Sequence, residues 1–283
     1  MLKGKQNIKK TIWAHCVVRN EENFIWFAIM SVIDHVDKVL IYDLGSTDKT
    51  VEIIKTIKNK KIVLRKFPAN HDMLVHADMR QKMLDETKSD WVFLLDGDEI
   101  WLEDSIKKIV NTIRTDDEAE CIVVPNYMLL GDVYHYQEDL GGMYHIAGKK
   151  GHYNMRAFNR RIPGLHIEIH PNEKGLMRES FYDNKGGLIY ERSPKRTLLL
   201  DAPYMHATHL RRSSKDEEVV ERKIRFKYEL GIKFAQEFKF PQSFYLELPS
   251  IVKSPWEKPN FLYQLLALIQ TPLKKIKRRI KIG

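Results

Sequence analysis

Cysteine is scarce in this sequence, which contains only Cys16 and Cys121 among its 283 residues. Cys16 lies within an apolar run that is typical of a buried strand. We therefore expect two buried free thiols and a reducing compartment rather than a framework of disulfides. With 43% hydrophobic residues, the chain can instead form a hydrophobic core as one large domain, or as one domain with an appendage.

Long hydrophobic runs are also missing. The sequence has no apolar stretch as long as the roughly 18 residues that a membrane-spanning helix requires. The basic N-terminal segment leads directly into a strand-like run, and it lacks the apolar stretch that would predict a secretory signal peptide. We therefore expect a cytoplasmic protein whose contact with a membrane, if any, is peripheral.

Acidic residues are absent from the C-terminal segment. Residues 274–281 carry six positive charges and no negative ones, so that 9 − 6 leaves a net charge of only +3 for the rest of the chain. A nucleic-acid-binding protein is expected to interleave Lys and Arg with exposed aromatic residues across its folded body. The concentration of basic residues in this tail argues against a nucleic-acid partner.

The tail has the pattern of a basic amphipathic segment. It places Ile276, Ile280 and Ile282 among six basic residues. An apolar stretch of ten residues, 261–270, precedes it and is too short to span a bilayer. Pro272 is expected to break or kink the segment. Because anionic lipids attract basic amphipathic segments, we expect the tail to bind an anionic membrane surface.

Short apolar segments alternate with helical patterns up to about residue 125. Segments rich in β-branched and aromatic residues predict strands, and apolar faces such as Ile106, Ile109 and Ile113 predict helices between them. This alternation predicts an α/β fold with a mostly parallel sheet covered by helices on both faces. The predicted strands are 11–18, 38–43, 61–67, 91–96 and 121–126, and the predicted helices are 22–33, 50–57, 77–87 and 104–113.

The pattern changes after residue 125. Residues 126–200 are rich in Gly, Tyr, His and Arg, and they predict loops and short antiparallel strands. Residues 215–236 return to a charged helical pattern, and the apolar and basic tail closes the chain. We expect these C-terminal segments to be helical.

The segment Asp96-Gly97-Asp98-Glu99 places three carboxylates directly behind the fourth predicted strand. Converging carboxylates repel one another and lose solvation, a cost that a hard divalent cation such as Mg²⁺ or Mn²⁺ offsets. Gly97 is expected to keep the turn small enough for a polyphosphate to approach. On this account, replacing Asp98 with Asn leaves the stability without metal unchanged or slightly higher. The alternative is a solvated acidic turn.

Polar clusters follow two other predicted strands. Residues 19–22, Arg-Asn-Glu-Glu, follow the first strand, and residues 43–48, Asp-Leu-Gly-Ser-Thr-Asp, follow the second. In an open α/β sheet, ligands bind at the carboxyl ends of the strands. We therefore expect these clusters and the carboxylates to line one site.

Two glycine patterns are absent. The position of Gly97 does not fit the calcium-loop pattern D-x-[DN]-x-[DN]-G. The first strand is not followed by the Gly-rich phosphate loop and Lys that a sugar nucleotidyltransferase is expected to have. A sugar nucleotidyltransferase, or a non-enzymatic basic protein that binds membrane surfaces or nucleic acid, is the alternative to the function discussed next.

In their order along the chain, the three motifs resemble those of glycosyltransferase family two. The resemblance covers about residues 11–101 and includes a D-x-D pattern at Asp96 and Asp98. It implies a nucleoside-diphosphate sugar as the donor, with Mn²⁺ or Mg²⁺ as cofactor. It also implies inverting transfer, in a single displacement, to a hydroxyl of a glycan or lipid-linked acceptor. The expected context is the synthesis of cell-surface polysaccharide, lipopolysaccharide or another glycan.

The resemblance further implies a GT-A fold, with a Rossmann-like, mostly parallel sheet flanked by helices. The nucleotide-sugar-binding half is expected at residues 1–125. The acceptor-side and catalytic region of the same domain is expected at 126–212, and C-terminal helices with the basic tail are expected at 213–283.

Residues that match the family's motifs receive roles from the resemblance. Arg19, Asn20 and Glu21 correspond to the wall of the nucleoside pocket. Asp43 is expected to contact the base or the ribose. Arg80 corresponds to a position near the nucleotide.

The resemblance also implies a metal site. Asp98 is expected to bind the metal, and Asp96 is expected near the ribose and the metal. A His late in the chain often completes the metal site or contacts the diphosphate in this family, and His206 is the candidate in preference to His209. Arg156 is expected to face a phosphate or an anionic acceptor.

The acceptor hydroxyl must give up its proton to a carboxylate or a His. The resemblance implies that this catalytic base is an acidic residue on the acceptor side. The segment 161–175 offers the carboxylates Glu168 and Glu173, with His166 and His170 beside them. Glu168 is the preferred candidate, with His170 beside it. Many family members have His-Glu at the comparable place, whereas here Pro171 follows His170.

Overall fold

The first four predicted strands form a parallel sheet in the computed structural model, which describes residues 9–69, 73–142, 144–171, 177–218 and 220–280. They are β1 (Ile12–Val18), β2 (Lys38–Asp43), β3 (Ile62–Lys66) and β4 (Trp91–Leu94). Their order in the sheet is β4-β1-β2-β3. β1 and β4 are buried along nearly their whole length, as expected for strands covered on both faces. The carboxyl ends of β1, β2 and β4 therefore lie at one edge of the sheet.

Helices alternate with these strands along the chain. They are α1 (Ile25–Met30), α2 (Thr50–Thr56), α3 (Met73–Glu86) and α4 (Glu103–Thr115). The predicted apolar face of α4 is buried at Ile106, Ile109 and Ile113. α1 is shorter than predicted, and α3 begins four residues before the predicted position 77. The predicted alternation of strands and helices is confirmed.

Antiparallel strands extend this sheet on the β4 side. In chain order the next strands are β5 (Glu99–Trp101), β6 (Cys121–Leu130), β7 (Asp132–Tyr136), β8 (Tyr144–Ile146), β9 (Lys149–Gly151) and β10 (Tyr153–Asn159). β8 and β9 pair with each other in a separate two-stranded sheet. β10 lies between β4 and β6 and runs antiparallel to both. The fifth predicted strand, β6, is therefore separated from the parallel strands. The predicted change to antiparallel structure after residue 125 is confirmed.

A separate hairpin packs against α3. It consists of β11 (His166–Pro171) and β12 (Met177–Tyr182), which pair with each other. Ile167 and Phe181 lie in a buried cluster, and the backbone N–H of Ile167 donates a hydrogen bond to Gln81 Oε1 on α3 at 2.8 Å. The predicted candidate Glu173 lies outside the described residues.

The chain then returns to the main sheet. β13 (Thr197–Leu199) and β14 (Tyr204–His206) both run parallel to β6. β14 also pairs with β5, with His206 opposite Glu99. This pairing brings the end of β14 to the acidic segment that follows β4.

The helix predicted for residues 215–236 is wrong over most of its length. Among the residues of this span that the structure describes, only α5 (Val220–Arg225) and a short 3₁₀ turn at Asp216–Glu218 are helical. The chain continues to β15 (Ile232–Lys233), which pairs with β7. At Gly231 a Cβ would lie 2.8 Å from His135 Cβ on β7. Phe234 packs against Tyr127 and Tyr136. Close passage along β7 and aromatic packing thus override the helical charge pattern.

The C-terminal helix α6 spans Phe261–Ile280 and continues through Pro272. Of the two predicted effects of this proline, a break or a kink, the break is wrong. Proline removes one hydrogen bond to the carbonyl four residues earlier. That residue, Leu268, is 62% exposed, so water can reach this side of the helix and replace the bond. Within the described ranges, we find no helix with the length and hydrophobicity needed to cross a bilayer.

Candidate active site

Hydrogen bonds join the polar segments at the carboxyl ends of β1 and β2. The backbone N–H of Asn20 donates to Ser46 Oγ at 2.9 Å, and that of Thr47 donates to Asn20 Oδ1 at 2.8 Å. Asn20 has a φ of 53°, a left-handed conformation in which Asn is enriched. Asp43 is buried and accepts a hydrogen bond from Ser46 N at 3.3 Å. The structure thus brings the predicted Asn20 and Asp43 into one pair of loops.

Glu21 connects these loops with residues 96–98, which we call the acidic turn. The backbone N–H of Glu21 donates to Thr50 Oγ1 at 2.7 Å. A Cβ at Gly97 would lie only 2.8 Å from Glu21 Cγ. Gly97 is therefore needed for the close approach of the acidic turn to Glu21. Glu21 Oε2 is buried and accepts no hydrogen bond from the part of the chain that the structure describes.

Two arginines that follow β14 hold Glu21 and its neighbours. Arg222 donates to Glu21 Oε1 at 2.7 Å and also to the carbonyl oxygens of Arg19 and Asn20. Arg212 Nη1 lies 3.1 Å from Glu21 Oε1. Burial raises the pKa of Glu21 to about 8, although both arginines act in the opposite direction.

Asp98 is buried at the end of the acidic turn. Its Oδ2 accepts a hydrogen bond from Arg212 Nη1 at 2.7 Å, and its Oδ1 lies 3.5 Å from His206 Nε2. Burial opposes ionisation of Asp98, but Arg212 and His206 outweigh it and hold the pKa of Asp98 well below its usual range. Burial likewise opposes protonation of His206, and Asp98 raises the pKa of His206 above its ordinary value. Asp98 is therefore an ionised carboxylate whose negative charge is balanced by Arg212 and His206. Replacing Asp98 with a neutral residue would remove this balance as well as the repulsion between carboxylates.

Asp96 lies between two other arginines. Its Oδ1 accepts a hydrogen bond from Arg80 Nη2 at 2.8 Å, and its Oδ2 accepts one from Arg156 Nη2 at 3.3 Å. Burial acts to raise the pKa of Asp96, but Arg156 and Arg80 together lower it. Arg80 Nε also lies 2.7 Å from Glu179 Oε1 on β12. The predicted residues Arg80, Asp96 and Arg156 thus form one network.

Arg156 is enclosed by protein groups. It forms an ion pair with Glu99, which is fully buried, and its Nε donates to Tyr204 Oη at 3.1 Å. Burial raises the pKa of Glu99 to about 7 against the opposing effect of Arg156. Because Arg156 is only 8% exposed, its guanidinium pairs with carboxylates at the buried side of the acidic turn and does not face solvent.

The side chains near the acidic turn offer few candidate ligands for a divalent cation. The described residues contain no group of three His, Cys, Asp or Glu side chains that could hold an ion. Mg²⁺ sites of enzymes that act on phosphates often use one or two carboxylates and complete the coordination with substrate phosphates and water. Asp98 Oδ1 provides one such carboxylate, and His206 Nε2, 3.5 Å away, offers a second ligand when it loses its proton on metal binding. Both oxygens of Asp96 are instead paired with arginines.

The hairpin carries the predicted base on its exposed face. Glu168 Oε2 lies 2.6 Å from His170 Nε2, and both side chains are about half exposed. The hydrogen bond with His170 lowers the pKa of Glu168. Ile169 is directly opposite Glu179 in the hairpin, so these two side chains share the face that carries the contact with Arg80. Glu168 and His170 are together, but on the other face.

The family model for glycosyl transferase family 2 matches residues 15–183, which include both polar loops, the acidic turn and the hairpin. The chain belongs to glycosyltransferase family 2. The GT-A type of α/β fold that the sequence predicts is thereby confirmed, with parallel strands β4-β1-β2-β3 and an antiparallel extension.

Among other proteins, the chain is similar to glycosyltransferase SunS of the SPbeta prophage in Bacillus subtilis (strain 168). The two are 26% identical over 161 residues, which cover 54% of this chain and 36% of SunS. S. aureus TarS 1-349 is a similar solved structure, with 15% identity, a TM-score of 0.47 and coverage of 70% of this chain and 60% of that one. Another is glucosyl-3-phosphoglycerate synthase from Mycobacterium tuberculosis in complex with Mn²⁺ and UDP-glucose, with 16% identity, a TM-score of 0.43 and 76% coverage of each chain.

The family motifs do not reveal Arg212 and Arg222. Both lie beyond the matched residues 15–183, and both reach Glu21 through the fold. Arg212 stands next to Arg211 in the sequence, yet Arg211 is 69% exposed and pairs with Glu217. Charge alone could not have distinguished the buried arginine from its exposed neighbour.

Proposed function

We propose that this family 2 protein transfers a sugar from a nucleoside-diphosphate sugar to an acceptor hydroxyl, in a metal-dependent reaction that inverts the anomeric centre. The observation that carries the proposal is the meeting of residues 19–22, Asp43 and the acidic turn at the carboxyl ends of β1, β2 and β4. Ligands of open α/β sheets bind at this edge. The buried carboxylates and arginines provide groups for a polar, charged donor.

The nucleoside is proposed to bind against Arg19, Asn20, Glu21 and Asp43, with Arg80 nearby. Hydrogen bonds to neighbouring loop residues hold Asn20 and Glu21 in place before a ligand arrives. Glu21 Oε2 is a buried oxygen without a partner among the described residues. Buried polar groups are normally hydrogen-bonded, and a hydroxyl of the nucleoside, which can both donate and accept, is a suitable partner for this carboxyl group.

Asp98 and His206 are proposed to hold Mn²⁺ or Mg²⁺. When bound, such an ion stabilises the negative charge that develops on the departing diphosphate. Asp96 is fixed by Arg80 and Arg156 and is proposed to lie near the ribose. The two arginines keep Asp96 ionised and oriented.

The hairpin β11–β12 is proposed to supply the catalytic base. As the acceptor oxygen attacks the anomeric carbon, its proton passes to a carboxylate and the bond to the diphosphate breaks, so the electron pair leaves with the nucleoside diphosphate. Glu168, with His170, is the candidate from the sequence. Glu179 is the candidate that the geometry favours, because it contacts Arg80 within the site network.

The acceptor is proposed to be a hydroxyl of a glycan or of a lipid-linked glycan, at the cytoplasmic face of a membrane. Synthesis of cell-surface polysaccharide, lipopolysaccharide or a related glycan is the corresponding context. The support for a membrane location is the basic, partly apolar helix α6, which has no acidic residue along its length.

The proposal is tested by incubating the protein with an array of nucleoside-diphosphate sugars and candidate glycan acceptors, with Mn²⁺ or with a chelator. We expect a product whose anomeric configuration, read by NMR, is inverted relative to the donor, and no product when the metal is removed. Retention of configuration would contradict the single displacement, and full turnover with the chelator would contradict the metal site.

A further inference from the structure

Helix α6 carries two opposite faces, of which only one is packed against the protein. Tyr263, Ala267 and Thr271 are buried and recur at every fourth position. On the other side, six apolar residues are between 45% and 66% exposed. At 3.6 residues per turn they lie within an arc of roughly 140°. We call this surface the outward apolar face, and it consists of Leu262, Leu265, Leu268, Ile269, Leu273 and Ile276.

Polar contacts near both ends fix the orientation of α6. Tyr263 Oη donates to the carbonyl oxygen of Lys227 at 2.9 Å, and a Cβ at Gly131 would lie only 2.8 Å from the Tyr263 ring. Toward the C-terminus, Arg278 Nη2 donates to Glu229 Oε2 at 2.7 Å. The helix cannot roll its apolar residues inward without breaking these contacts.

Positive charge flanks the outward apolar face. Helix α6 contains no Asp or Glu, and its C-terminal half carries five Lys and Arg at 274, 275, 277, 278 and 279. Lys274 and Arg278 bond to the protein body. Lys277 and Arg279 are exposed, so their charges are directed to the surroundings of the helix.

We infer that the outward apolar face of α6 docks this protein on an anionic lipid bilayer, with the helix lying parallel to the membrane surface. Contiguous exposed apolar surface marks interaction sites, and amphipathic helices with flanking Lys and Arg bind in the headgroup region of anionic membranes. A second copy of the chain is a poorer occupant. Since α6 offers no carboxylate, two such faces would confront basic residues without opposite charges.

The outward apolar face is the surface responsible for the membrane location proposed above, and docking does not depend on the transfer reaction. The contacts of α6 with the protein body limit which variants keep the fold. Glu229 is 2% exposed, and deleting the tail would remove its partner Arg278. Point substitutions on the exposed face avoid this damage to the fold.

The test is flotation of the full chain with vesicles of phosphatidylcholine, with or without phosphatidylglycerol. The face variant is Leu268→Gln, Leu273→Gln, Ile276→Gln. The matched control replaces three exposed apolar residues elsewhere, Leu140→Gln, Leu199→Gln, Tyr245→Gln. We expect the unmodified chain and the control to float with anionic vesicles and to be partly released by salt, and the face variant to lose binding by about tenfold or more.

A second measurement reports insertion itself. Leu268→Cys, labelled with an environment-sensitive fluorophore, is expected to gain fluorescence with anionic vesicles, whereas labelled Tyr245→Cys is not. Cys16 and Cys121 are buried and should remain unlabelled.

Equal flotation of the face variant and the unmodified chain would overturn the inference. The inference would also be overturned if the unmodified chain does not float but forms a dimer in sedimentation velocity, and the face variant abolishes that dimer. Donor binding, measured by calorimetry without vesicles, should be the same in both variants, which separates this result from the proposed function.

Discussion

At the scale of single residues, Asp98 links the proposed donor site to the stability of the fold. Its charge neutralises the buried Arg212, so Asp98→Asn leaves that arginine without its nearest anion. We expect the free energy of unfolding to fall by about 1–3 kcal/mol, the usual cost of a buried polar group that loses its partner. Urea unfolding measures this change, with the exposed Asp34→Asn as control. An unchanged free energy would contradict the pairing of Asp98 with Arg212.

The raised pKa values of Glu21 and Glu99 make the stability of the folded protein depend on pH. Their folded pKa values are raised to about 8 and about 7, whereas an unfolded Glu has a pKa of about 4.3. Between these values the folded protein binds protons that the unfolded chain has released, so their contribution is complete below about pH 4.3 and is lost as the pH rises toward 7 and 8. The metal-free protein should therefore become less stable over this range. Glu21→Gln should flatten the dependence, and an identical slope would contradict the raised pKa of Glu21.

Site residues in contiguous motifs could be predicted from the sequence. Site residues that are distant from these motifs in the sequence could not. Asn20, Asp43 and the acidic turn follow strands whose apolar pattern is clear, so their meeting was foreseeable. Arg212 is separated from Asp98 by 114 positions. Its burial depends on the path of the chain after β14, which no local pattern encodes.

At the scale of elements, the alternation of side chains along β11 and β12 distinguishes the two candidate bases. Glu179 shares a hairpin face with Ile169 and contacts Arg80, whereas Glu168 lies on the opposite, exposed face. We expect Glu179→Gln to lower kcat by about 100-fold or more with little change in donor affinity, since general-base catalysis commonly contributes this much. Glu168→Gln should change kcat by less than about threefold on the same basis. The reverse result in steady-state kinetics would assign the base to Glu168.

Long-range contacts account for the helix that the sequence predicted wrongly. The charge pattern of residues 215–236 is helical, but Phe234 and Gly231 are required beside β7, and the chain extends to reach it. The strand predicted at 121–126 is present as β6, and its place beside β10 rather than β4 is also set by long-range pairing. Long-range packing thus decides what local patterns cannot.

At the scale of the whole molecule, two surfaces bear on the proposed function. The carboxyl edge of the parallel sheet gathers the donor-binding candidates, and α6 presents an apolar and basic face to the surroundings. A membrane-docked transferase would meet its lipid-linked acceptors at the same surface. The family and the α/β fold were predictable from the sequence, whereas the direction of the apolar face required the structure.

The most direct test of the central claim is calorimetric titration of nucleoside diphosphates, with and without Mn²⁺, into the unmodified protein and Asp98→Asn. The account predicts that at least one nucleoside diphosphate binds the unmodified protein, that removal of Mn²⁺ weakens this binding, and that Asp98→Asn loses the metal dependence. Binding that is equal with and without Mn²⁺ and equal in Asp98→Asn, or no binding of any nucleoside diphosphate in the presence of Mn²⁺, would contradict a metal-dependent donor site at the acidic turn.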